Sequence, residues 1–146
     1  MNLNEEILIE VLMRHIPEIT QWVNEVVINN VVDPVEMLPP RLRSQLRCPE
    51  AFRRAFNEGW ITIESERMVS HFGSLRMLAH FCGRTFAGDT VVAIHKFRMV
   101  ESGHFPFPAS ELERLFGVGN LREQRKNLLK NRLPKRYQVI DNLFDM

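Results

Sequence analysis

One apolar stripe constrains this chain more than any other feature. Met68, Phe72, Leu75, Ala79, Cys82 and Phe86 follow one another at spacings of 4, 3, 4, 3 and 4. That rhythm matches the 3.6-residue turn of an α-helix, and Val69, Leu78 and Phe81 widen the stripe. A helix apolar over so much of its surface has to be wrapped by others. The expectation is a long central helix, with Gly73 and Ser74 inside it as small residues that permit close contact at some cost in helix propensity. Its entrance carries a charge, Arg67, in "NEGWITIESERMVSHF". A guanidinium where a buried helix begins is either a solvated cap or a fixed charge offered to an acidic partner.

The flanking segments also read as helices, punctuated by proline and glycine. Ile7, Leu8, Val11 and Leu12 share one helical face. After Pro17, the residues Ile19, Trp22, Val23, Val26 and Val27 repeat at helical spacing to about Val31. "DPVEMLPP" is a break, because the residue before each proline is pushed out of the helical region. "PRLRSQL" is a short helix, and "CPEAFRRAFNEG" a second with Phe52 and Phe56 on one face and Gly59 as its stop. Residues 87–103 are ambiguous. Val91 and Val92 tolerate a strand, whereas the length and the flanking glycines favour a helix. "ASELERLFG" carries Ser110 as N-cap, Glu113 as its capping-box partner and Gly117 as stop. "NLREQRKNLLKNRL" turns Leu121, Leu128 and Leu129 inward, and a last short helix starts near Lys135. These readings add up to one all-α domain over residues 1–146, a bundle of about eight helices around a central apolar one.

Composition keeps the chain among soluble proteins. Of its 146 residues 45% are apolar and 25% charged, with a formal net charge of +1. The charge is uneven: residues 1–40 hold seven acids against one base, and residues 104–146 eight bases against five acids. Two such patches would be complementary between the subunits of a homodimer. Cys48 and Cys82 are too few for a disulfide framework, the N-terminus "MNLNEEILIEV" is acidic rather than signal-like, and no run approaches the ~20 apolar residues of a membrane span. A cytoplasmic protein without a membrane anchor is expected.

No enzyme chemistry or cofactor is legible. The chain has no HExxH, CxxC, GxSxG or phosphate-cradling glycine loop, and the scattered histidines read as core-edge residues rather than metal ligands. Cys82, on the apolar stripe, reads as a small hydrophobe. Two kinds of binding remain. Arg122, Lys126 and Lys130 lie on one helical stripe, with Arg125, Arg132, Lys135 and Arg136 beside it, in a position suited to nucleic acid. "SELERLFGV" before this helix has the outline of a helix-turn-helix, but Glu113 and Glu123 stand where that motif buries small or aliphatic residues. The other kind is a groove for an amphipathic partner helix, with apolar walls and one charge at its rim.

The groove reading gains from a resemblance. "LRSQLRCPEAFRRAFNEG", "ERMVSHF" and "SELERLFG" resemble, in order, the short helices, the arginine that opens the central helix and the late aromatic–glycine helix of the Bcl-2 family of apoptosis regulators. The resemblance covers roughly residues 40–120, and short viral members of that family diverge in similar ways. It implies a Bcl-2-like fold and an inhibitor of apoptosis that sequesters the amphipathic BH-motif helix of a pro-apoptotic protein, in a virus–host setting. The groove would be formed by Leu46, Phe52, Ala55, Phe56, Met68, Ser70 and Phe72 and closed by Phe116. Arg67 would pair with the ligand's aspartate.

Overall fold

A computed structural model describes residues 33–145. The helices expected within residues 1–31 lie outside them. The described residues correct the all-α expectation. They form six α-helices and two two-stranded antiparallel sheets, a mixed α/β arrangement. A single 3-10 turn (Pro34–Met37) leads into α1 (Pro40–Gln45) and α2 (Pro49–Asn57). A first hairpin follows, β1 (Ile61–Glu64) and β2 (Arg67–Ser70), then α3 (Leu75–Cys82), which widens into a π-helical turn at Gly83–Ala87. A second hairpin, β3 (Thr90–Ile94) and β4 (Phe97–Glu101), precedes α4 (Ala109–Phe116), α5 (Leu121–Lys130) and α6 (Tyr137–Phe144).

The long central helix is therefore two elements. A spacing of four satisfies a strand as well as a helix, because four is also a multiple of the strand's period of two. Met68 lies on the face that β2 shares with Ile61 and Ile63 of β1, in the register Ile63↔Met68, and all three are buried. The helix starts only after Gly73, whose φ of +99° is a conformation that side-chain-bearing residues rarely adopt. Ser74 then caps it, its Oγ accepting the Met77 N–H at 3.1 Å. Gly73 and Ser74, expected inside a helix, form its boundary.

What remains of the stripe is still the centre of the core. Met77 through Cys82 are all buried in α3. The Phe81 ring lies 5.2 Å from Phe72, 6.4 Å from Phe52 and 6.2 Å from Phe144 between centroids, joining α3 to α2, to the end of the first hairpin and to α6. Leu112 of α4, Leu121 and Leu128 of α5, and Ile140 and Leu143 of α6 close around it. His80 also faces inward. Its Nε2 lies 3.0 Å from Asp141 Oδ1, which accepts a second bond from Arg84 Nη1 at 2.9 Å.

Two of the expected helix ends hold and one expected start does not. α2 presents Phe52 and Phe56 inward and stops short of Gly59, and α4 ends on Gly117 in the left-handed conformation. Ser110 is not the cap of α4, which begins at Ala109 behind Pro108 without a side-chain bond. Residues 87–103 are the second hairpin rather than a helix: Val91 and Val92 go into β3, and Val100 of β4 is buried.

Candidate functional site

The nine residues of the expected groove do not share an open face. Phe52, Ala55 and Phe56 of α2, Met68 of β2, Phe72 and Phe116 are all buried, and Leu46 and Ser70 are half-buried. The walls of the groove are thus already packed against one another. Arg67 alone is exposed, at the first position of β2. Its guanidinium lies against Gly117, so close that a Cβ built there would come within 2.6 Å of Nη1. That is the C-terminal end of α4, where a cation meets the negative pole of the helix and its unpaired carbonyls.

The basic stripe has a different setting. Arg122, Lys126 and Lys130 are exposed on α5, while Leu121 and Leu128 are buried on its other side. Arg125, expected among the nucleic-acid contacts, turns inward instead. It holds Asp89 bidentately, Nε to Oδ2 at 2.9 Å and Nη2 to Oδ1 at 2.8 Å, and donates from Nη2 to Ser102 Oγ at 3.2 Å. Asp89 also accepts the Gly103 N–H at 2.8 Å. Asp89, Ser102 and Gly103 flank the base of the second hairpin, so this pair ties that base to the middle of α5.

A second contact ties the hairpin's tip to the end of α5. The Arg132 guanidinium stacks over the Phe97 ring, 3.8 Å from its centroid. α5 ends at Lys130 and the chain is extended at Asn131, so Arg132 reaches Phe97 from the segment just beyond the helix. β4 itself packs against α5. Comparison with family models, with curated proteins and with solved structures finds no match to this chain. The surface is left to be read from its own chemistry.

That chemistry is cationic with an apolar tip. Residues 121–136 carry seven bases and one acid, Glu123. Glu123 is exposed and sits 3.6 Å from Lys126, so its departure from the helix-turn-helix pattern buries no charge. At the hairpin turn His95 and Lys96 are exposed, and Arg98 follows on β4. Ile94 and Phe97, paired across the turn, are each 43% exposed, among the most exposed large apolar side chains described. His95, Lys96, Phe97 and Arg98 are functional candidates that helical periodicity hides. The signal available for them was the β-branched run before a polar pair, "TVVAIHKFRMV".

The remaining reactive groups are inward or dispersed. Cys82 is fully buried and burial pushes its thiol pKa up, which suits a small core hydrophobe rather than a nucleophile. Among the described residues no three His, Cys, Asp or Glu side chains come together in a way that could hold a metal ion, and no helix is long and apolar enough to cross a membrane.

Proposed function

We propose that this chain binds nucleic acid through α5 and the β3–β4 hairpin beside it. The observation that carries the reading is their juxtaposition. Asp89–Arg125 and Phe97–Arg132 fasten a protruding hairpin with Lys96 and Arg98 to a helix whose outer stripe is Arg122, Lys126 and Lys130. A cationic helix flanked by a cationic hairpin offers two tracks for phosphates, and such contacts release counterions. Affinity for a labelled oligonucleotide should fall steeply between about 50 and 200 mM salt. The double variant K126Q/K130Q should bind more weakly and lower the slope of log K against log salt by about 1.4–1.8, one increment per lost phosphate contact. Mobility of DNA and RNA unchanged by the protein at low salt would end this reading.

A trade-off at the turn gives a second test. His95 and Lys96 have φ of 49° and 71°, as a two-residue type I′ turn demands, and neither is the Asn or Gly that adopts this at least cost. Replacing them by Asn-Gly should stabilise the fold by about 1–2 kcal/mol in urea unfolding. The same change removes a tip cation, so oligonucleotide affinity should drop while stability rises. Strain alone marks nothing, since Ser65 and Glu66 make a similar turn in the first hairpin.

The competing reading is sequestration of a pro-apoptotic helix, and it rests on the exposed Arg67. Its apolar anchors are in the core, so a ligand helix would have to open the structure to reach them. Micromolar binding of such a helix, lost in Arg67→Ala, would favour it over nucleic acid.

A further inference from the structure

We infer that the second hairpin selects single-stranded nucleic acid by stacking a base on Phe97. This rests on the nucleic-acid reading above and narrows it to a substrate class. One face of the Phe97 ring is covered by the Arg132 guanidinium at 3.8 Å, yet the residue is 43% exposed. The cation occupies one side of the ring, and a large part of the side chain is left to solvent. A partly exposed aromatic ring backed by a guanidinium is a platform for a planar, electron-rich partner, and every nucleobase presents such a face. In a duplex those faces are hidden in the stack; in a single strand they are free.

The surroundings fit that occupant. Ile94, directly across the turn from Phe97, is equally exposed and extends the apolar platform. Lys96 precedes the ring in sequence and Lys130 precedes the stacked Arg132 by two residues, and both are exposed, so the chain on either side of the platform carries a cation for a flanking phosphate. Strand alternation puts Val92, Ile94, Phe97 and Met99 on one face of the hairpin. A second copy of this chain docked on that face would bring the Arg132 guanidinium, which lies over Phe97, towards that of the other copy. Like charges brought together disfavour self-association and favour a polyanion.

The test is fluorescence anisotropy on the full chain, with a labelled 12-nucleotide single strand and the matching duplex, across a salt series. The expected result is tighter binding of the single strand. Phe97→Ala should lose about tenfold to a hundredfold of that affinity with the salt slope unchanged, because stacking releases no counterions. Phe97→Trp should retain binding, and its added indole emission should be quenched when the strand is bound. Thermal unfolding of both variants controls for folding. Equal binding of strand and duplex with Phe97→Ala silent, but weakened by K126Q/K130Q, would overturn this inference and leave the nucleic-acid reading standing. No binding of either oligonucleotide at 50 mM salt would overturn both. Loss of a sedimenting dimer in Phe97→Ala, without oligonucleotide binding, would assign the platform to a second copy and also overturn it.

Discussion

Replacing Asp89 with alanine is expected to cost about 3–5 kcal/mol of folding free energy, more than any surface change in this protein. The Asp89 side chain is 2% exposed and that of Arg125 15% exposed. The carboxylate accepts two bonds from the guanidinium and one from the Gly103 N–H, so both ions are satisfied as a pair. Removing the acid alone leaves a largely buried cation with only Ser102 Oγ and the Phe107 ring beside it. The loss measures that orphaned charge rather than the worth of the pair. The double variant D89A/R125M should therefore recover a good part of the stability lost in Asp89→Ala, by about 1 kcal/mol or more in urea unfolding. The site has little room to adjust. A Cβ on Gly83 would sit 2.3 Å from Asp89 Oδ2, and one on Gly103 would sit 1.9 Å from the Ala87 carbonyl oxygen. Hydrogen exchange should show the β3–β4 amides losing protection first in Asp89→Ala, since that pair holds the hairpin to α5. A cost below about 1 kcal/mol would mean that water, not Asp89, satisfies Arg125.

How far the sequence disclosed this fold depended on which period each segment could satisfy. α2 and α5 were legible because Ala51, Phe52, Ala55 and Phe56 in the one, and Leu121, Leu128 and Leu129 in the other, fall at spacings that only a helix puts on one face, with proline and glycine near their ends. The first hairpin was not, because Met68 and Phe72 are four apart and a strand accepts that spacing too. The alternation of Ile61 and Ile63 with Thr62 and Glu64 was the competing signal, but it spans only four residues. Both hairpins turn on pairs, Ser65–Glu66 and His95–Lys96, that lack the Asn-Gly or Asp-Gly signature, so the turns were silent in the sequence. The candidate site followed the same pattern. Arg122, Lys126 and Lys130 were found from helical spacing and are exposed as that spacing requires. Arg125 belongs to the same helix, but its partner Asp89 is 36 residues away, and no local pattern announces a contact at that range. Phe97 lies within residues 87–103, where a helix was favoured over a strand, and only the strand register puts it at a tip.

The second large effect is expected at Phe81, and it separates core from surface among the phenylalanines. Phe81→Ala should cost about 3–5 kcal/mol, because the ring is fully buried and the space it leaves is bounded by Phe52, Phe72 and Phe144, which α2, the first hairpin and α6 hold in place. In a chain of this length that corresponds to a fall in melting temperature of about 10–20 °C. Phe97→Ala, at a 43% exposed position, should change stability by less than about 1 kcal/mol. The contrast bears on function as well. Phe52→Ala and Phe56→Ala should behave like Phe81→Ala, since both rings are in the same cluster. If they instead left stability intact and abolished capture of a partner helix, α2 would have to swing away from Phe81, and the packed core would be one of two states. Melting curves of these four variants, read beside their binding to oligonucleotide and to amphipathic helices, decide whether the aromatic residues hold the fold together or wait for a ligand.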